Sequence, residues 1–174
     1  MRGQVWSLDF TASLVIFVTT VVLLLFAFNL LLADAASQQR LTVMQDVGLE
    51  VTDGLLRSPG VPDGWTAGTV EVIGFARQVP VTNFSIDVFE NILNDTKVIA
   101  FVGLDYDTSQ QLMGISNYDY FFRMEHLNGT VMTLQGTGLT AGVEPTAAAK
   151  NVVDVDRYAV LGGSLVRMVF RLWN

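Results

Sequence analysis

From Phe10 to Ala33 the chain reads FTASLVIFVTTVVLLLFAFNLLLA without one charged residue. An apolar run of roughly 24 residues is long enough to cross the hydrocarbon of a bilayer as an α-helix. Ala33-Asp34-Ala35 has the small-residue pattern of a cleavage site, but a secretory signal carries an apolar stretch of only about 7–15 residues. The run therefore predicts a helix that is kept. No Pro and no paired Gly follow until SPGVPDGW at Ser58 to Trp65, so the helix is expected to continue to near Leu56. Its second half has a different pattern. Leu41, Met44, Val47, Val51 and Leu55 share one helical face, while Asp46, Glu50, Asp53 and Arg57 fall nearly opposite. A helix from about Ser7 to Leu56 would be roughly 75 Å long, apolar all round in one half and one-sided in the other. Such a helix needs two different environments.

Past Trp65 the elements shorten. Thr69 to Ala76 (TVEVIGFA) reads as a strand, and Ile86 to Leu93 (IDVFENIL), after Ser85, has the cap and spacing of a short helix. Thr96 to Leu104 fits strand or helix, a choice that periodicity does not settle for short apolar runs. Asp107 and Gln110 have the spacing of a capping box that opens another short helix. NYDYFFRMEHL and TVMTLQG flank Asn128-Gly129, a strong hairpin signal, and NVVDVDRYAVL and SLVRMVFRLW are joined through Gly162-Gly163. In the last strand Val166, Met168, Phe170 and Leu172 alternate with Arg167 and Arg171, so one face is buried and one wetted. The expected fold is α+β: a long N-terminal helix, transmembrane in its first half, packed by its distal stripe against a four-stranded antiparallel meander.

Composition narrows the function. Hydrophobic residues make up 51% and charged residues 16%, below a globular norm of roughly 25%. Ten Lys plus Arg against 17 Asp plus Glu give a net charge of −7, the wrong sign for neutralising phosphates, so no nucleic-acid partner is expected. The absence of cysteine excludes thiol nucleophiles, disulfides and zinc-thiolate sites. The single histidine, His126, stands at a strand end, and no G-x-S-x-G elbow accompanies it. Asp105 with Asp107, and Asp154 with Asp156, lack the spacing and Gly of an EF-hand, and read as a helix cap and wetted strand positions. GTGLTAG, Gly136 to Gly142, has no Lys-Ser/Thr after it and reads as a mobile exterior loop. No enzyme activity, metal or cofactor is expected. Arg2 and the terminal amine before the apolar run, against Asp34 after it, favour an N-terminus inside and a head outside. Asn83, Asn94 and Asn128 each open an N-x-Ser/Thr sequon on the exterior side, where about one would arise by chance.

Met1-Arg2-Gly3 followed by QVWSLDF and the apolar run resembles the class III signal sequences of archaeal type IV pilin-like proteins. LLRSPGVPDGW, MGISNYDYFFR and the final strand pair resemble the heads of such proteins. The resemblance implies a membrane aspartyl peptidase of the prepilin type cutting between Gly3 and Gln4. Residues 1–3 would be the leader, 4–57 the long helix with its membrane part at about 10–33, and 58–174 the extracellular head. In the family the carboxylate commonly stands fifth in the mature chain with Ser third; a cut after Gly3 puts Ser7 fourth and Asp9 sixth.

A lone carboxylate near hydrocarbon is costly, so Asp9 either finds a cation such as the N-terminal amine of an adjacent subunit, which would fix the axial offset between helices, or stays wet in the first turn of a helix capped by Ser7. Asn29 either bonds between helices or is tolerated. Two functions follow. One is a structural subunit, pilin or minor pilin, of a type IV pilus-like surface filament used in adhesion, with copies of itself or other pilin-like subunits as partners and the membrane as its site before assembly. The other is a single-pass anchored extracellular module that binds a ligand or partner.

Overall fold

The computed structural model describes residues 3–82 and 85–174. The chain divides into two compact units, Met1–Thr42 and Val43–Asn174. One helix, α1 (Gly3–Arg57), runs through both. As expected it continues unbroken past the end of the apolar run and stops just before Ser58-Pro59-Gly60, where Pro cannot continue a helix. Its start lies four residues before Ser7, because nothing in Gln4-Val5-Trp6 opposes helix. Ser7 is therefore not the cap.

In the second unit the predicted stripe is buried at Met44 and Leu55 and half-buried at Val47 and Val51; Leu41, half-buried, belongs to the first unit. Met44, Leu55 and Leu56 join one core cluster with the sheet residues Tyr120, Phe122, Met124, Met168 and Phe170, and Val47 and Val51 pack against it. Two small residues belong to the stripe as well. Thr52 is buried and returns its hydroxyl to the Leu49 carbonyl (3.0 Å). A Cβ on Gly48 would stand 3.0 Å from Val155 Cγ2, so glycine there lets the helix approach the sheet.

The remaining elements are β1 (Ala76–Thr82), β2 (Ser85–Leu93), α2 (Asp95–Val102), α3 (Tyr106–Leu112), β3 (Asp119–His126), β4 (Thr133–Leu134), β5 (Thr137–Gly138), β6 (Thr140–Gly142), β7 (Val153–Leu161) and β8 (Ser164–Trp173). Six strands form one sheet in the order β1-β2-β7-β8-β3-β6, and β4-β5 is a small separate pair. The sheet is mixed: β2 meets β7 in parallel at Ile92 opposite Val160, and the other pairs are antiparallel. The architecture is thus α+β as expected, but the four-stranded antiparallel meander is replaced by a larger sheet in which β3 pairs with the last strand.

Several local expectations are corrected. Thr69 to Ala76 is mostly irregular, with only a bridge from Val72 to Val61, because this segment wraps Trp65, whose Nε1 donates to the Gly74 carbonyl (3.0 Å). Ile86 to Leu93 is strand β2 and not a helix; pairing with β1 overrides the i, i+3 spacing of Ile86, Phe89 and Ile92. Residues 87–92 are exposed, so this ribbon lacks the alternation that marks a half-buried strand. The ambiguous stretch after Thr96 is helix α2, capped by Asn94. The next helix starts at Asp105 and not Asp107: Asp105 Oδ2 accepts from Thr108 N, and Gln110 donates instead to the Tyr118 carbonyl (2.7 Å). The chain does reverse at Asn128-Gly129, but its returning arm bridges β3 only at Val131 before leaving. Gly136 to Gly142 is ordered and not a mobile loop; it supplies β5 and β6, and Leu139 between them is fully buried.

The pair β7–β8 through Gly162-Gly163 forms as expected, in register from Val153 opposite Leu172 to Leu161 opposite Ser164. Val166, Met168, Phe170 and Leu172 are all in the core. Phe75, Phe101 and Phe122 meet edge to face with centroids 5.0–6.0 Å apart, a geometry that favours aromatic contact beyond simple burial.

Candidate functional site

Leu8–Leu32 is a 25-residue helical segment of mean hydropathy 2.7, none of it buried within the protein. It is long and apolar enough to cross a membrane. Several polar side chains inside it bond back to their own helix. Thr19 and Thr20 hydroxyls donate to the carbonyls of Val15 and Ile16, and Asn29 Nδ2 donates to that of Leu25, each at 2.8 Å. Bonds to the carbonyl four residues back allow such side chains to sit in an apolar medium without an outside partner. Contiguous exposed apolar surface of this extent is uncommon on soluble monomers and is typical of membrane or protein contact sites.

At one end of this surface Asp9 is exposed. Gly3 opens α1 and Gln4 follows it, the Gln4 side chain lying outside the described residues. Asn29, towards the other end, is exposed as well.

In the head, charged side chains form networks among themselves. Glu125, only 1% exposed, lies between the guanidinium groups of Arg123 and Arg167. Arg123 also covers the Phe121 ring, its Cζ 5.7 Å from the centroid. Arg171 pairs with Asp154 at 3.2 Å and Arg167 with Asp156 at 3.6 Å, so both aspartates serve as wetted strand partners. Arg157 joins Asp53 of α1 and reaches the Thr52 hydroxyl (3.4 Å). Lys97, buried on α2, donates to the Pro59 carbonyl at 2.6 Å and faces Asp63 at 3.7 Å. Burial lowers the Lys97 pKa, and the nearby Asp63 carboxylate opposes that shift. Burial, aided by the hydrogen bond to Asp119 (2.8 Å), pushes the Tyr106 phenol up to about 12. Tyr120 is likewise raised by burial, while its hydrogen bond with Ser109 acts against the shift. These groups brace strands and loops; of them Asp53, Asp156 and Arg157 also line one open cleft.

Two open clefts of about 440 and 420 Å³ flank the β2–β7 junction, the first between Arg77, Asn94 and Gly162, the second between Arg57, Asn91 and Tyr158. Among the described residues no three His, Asp or Glu side chains are grouped to hold a metal. His126 ends β3 with its backbone N–H on the Thr130 carbonyl (2.9 Å).

The two described sequons stand on different elements. Asn94 caps α2, Asn128 occupies the turn after β3, and Asn83 lies outside the described residues. Sequence reasoning did not find the Glu125 cluster or buried Lys97. The alternating arginines of β8 marked a wet face, but Glu125 becomes their partner only through the pairing of β3 with β8, opposite Arg167. Compared with known proteins, the chain matches no family model, no curated protein and no solved structure.

Proposed function

We propose that the chain is a structural subunit, pilin or minor pilin, of an archaeal type IV pilus-like surface filament. It inserts with its N-terminus inside and its head outside, is cut between Gly3 and Gln4 by a prepilin peptidase-like enzyme, and then moves its apolar helix from lipid into a bundle of sister helices. The observation that carries this reading is the wholly uncovered apolar segment Leu8–Leu32, continuous in one helix with a stripe that lies in the core of the head. In the bundle, apolar burial and close helix packing replace lipid contact. Asp9 of one subunit meets the new N-terminal amine of the next, which sets the axial step and neutralises both charges in a medium that penalises either alone.

Shearing cells and reading the N-terminus of the released material by mass spectrometry tests this. The expected result is a sedimenting fibre whose subunits begin at Gln4. Asp9→Ala should insert into the membrane normally and be missing from the fibre. A chain that stays wholly with the detergent-soluble membrane is instead a single-pass anchored binding module, and normal incorporation of Asp9→Ala removes the pairing role.

A further inference from the structure

Asn94 and Asn128 both carry the sequon for N-linked sugar, but they stand on different backbone. Asn94 is built into the fold. Its N–H donates to the Phe75 carbonyl (2.8 Å), its own carbonyl accepts from Lys97 and Val98 (3.1 and 3.2 Å), and its Oδ1 accepts from Thr96 N (3.0 Å). Lys97, Val98 and Phe101, just beyond, are buried. Presenting Asn94 to a transferase would require lifting the first turn of α2 away from Phe75 and with it part of the core. Loops that yield locally have exposed backbone and few buried contacts, and this segment has neither property.

Asn128 has both. Residues 126–131 are exposed without interruption. The turn is closed by two backbone bonds, His126 N to the Thr130 carbonyl and Gly129 N to the His126 carbonyl, both 2.9 Å. Gly129 has φ +82°, and a Cβ there would meet no atom within 4 Å, so open space surrounds the tip. The Asn128 Oδ1 accepts from both the backbone N–H (3.0 Å) and the hydroxyl (2.7 Å) of Thr130. Both sequon residues are thereby held together on one side of the turn, and among the described residues the Asn128 Nδ2 has no hydrogen-bond partner.

We propose that Asn128 is the acceptor of an N-linked glycan on the folded head and that Asn94 is not. The co-substrate is a lipid-linked phosphosugar. Asn128 Nδ2 displaces the phosphate at the anomeric carbon: a C–N bond forms, the C–O bond to phosphate breaks, the lipid phosphate leaves with the electron pair, and the amide proton passes to a base on the transferase. The sugar then stands off the turn, beside exposed Leu127 and Val131. Attachment requires the head to face the exterior, and it is independent of whether the chain assembles or stays anchored.

Protein taken from its own cells provides the test. Trypsin releases residues 124–150, in which Asn128 is the sole sequon, and residues 78–97, which hold Asn94. The expected result is a saccharide mass on 124–150, placed on Asn128 by fragmentation, with Asn94 bare. Thr130→Ser keeps the sequon and should keep the sugar; Thr130→Val leaves Asn128 in place and should lose it. A native peptide 124–150 bare throughout, a sugar on Asn94, or a sugar that persists in Thr130→Val would each overturn the proposal.

Discussion

Leu49 and Leu55 lie on the same helix six residues apart, and Leu→Ala at each makes the same change in chemistry and in helix propensity. They differ in burial: Leu55 is 2% exposed and Leu49 38%. In a sealed core Leu→Ala costs about 2.7–5 kcal/mol, with the size set by how well the site closes over the missing atoms. Leu55 borders an open cleft of about 370 Å³ together with Val51, Ile73 and Met113, so neighbours can move in and the lower end applies, about 3 kcal/mol. Unfolding entropy of ~2.1 cal/mol/K per residue over the about 130 residues of Val43–Asn174 gives ~0.27 kcal/mol/K. Leu55→Ala should then lower Tm by about 11 °C. Leu49→Ala, a surface change worth about 0.5 kcal/mol or less, should shift it by about 2 °C. Near-ultraviolet circular dichroism in detergent micelles follows the melting of the head through buried Trp65 and Tyr120. Equal shifts for the two variants, or a larger one for Leu49→Ala, would refute the placement of the distal stripe in the core.

Three further outcomes follow from the head. Tyr106 has a native pKa of about 12 against 10.0 unfolded, so the native state holds its proton longer; the stability it contributes is intact below pH 10 and is lost as pH rises from 10 to 12. Tyr106→Phe should flatten that alkaline loss and remove one late step from the absorbance titration at 295 nm; an unchanged titration would contradict its burial. Glu125→Gln leaves two guanidinium groups without their shared carboxylate, so it should lower the urea midpoint more than Glu144→Gln, whose side chain is 64% exposed. Gly142 and Gly114 both have left-handed φ, at +84° and +71°, and each pays about 1–2 kcal/mol for alanine; but a Cβ on Gly142 collides with the Tyr120 carbonyl while one on Gly114 meets nothing, so Gly142→Ala should be clearly the less stable by chemical denaturation.

The parts of the fold that were legible in the sequence are those whose burial is one-sided and local. The stripe Met44, Val47, Val51, Leu55 repeats with helical spacing because a single face is covered, and β8 alternates because one face meets the core and the other meets water. The turn Gly162-Gly163 was legible because positive φ at both residues, +59° and +79°, suits glycine. What was hidden depends on distant pairing. Phe89 and Ile92 sit at helical spacing in β2, yet β1 holds them as strand, and Asn91 at φ 58° lies between the pairs Arg77–Phe89 and Ala76–Leu93, where the register shifts. The three residues of β6 carry no pattern of their own and are strand only because β3 offers Phe121 to Arg123 as partners. The candidate site divides the same way. The apolar surface was visible as a run of letters, whereas the Glu125 cluster depends on which strand lies beside β3.

This contrast bears on what the apolar helix requires. Met44, Val47, Val51 and Leu55 of the distal stripe find cover among residues of their own unit, whereas Leu8–Leu32 has none of its surface covered. Thr19 and Thr20 spend their hydroxyl donors on their own helix, and Asn29 spends one of its two amide N–H groups, so little is asked of either lipid or a helix bundle. The polar interior of the segment therefore suits both surroundings, and the choice between them falls to its end. At a bilayer surface Asp9 keeps water and needs no partner; inside a bundle it loses water and needs a cation at a fixed distance. A substitution at Asp9 consequently separates the two surroundings, because it costs nothing in the first and removes the axial anchor in the second.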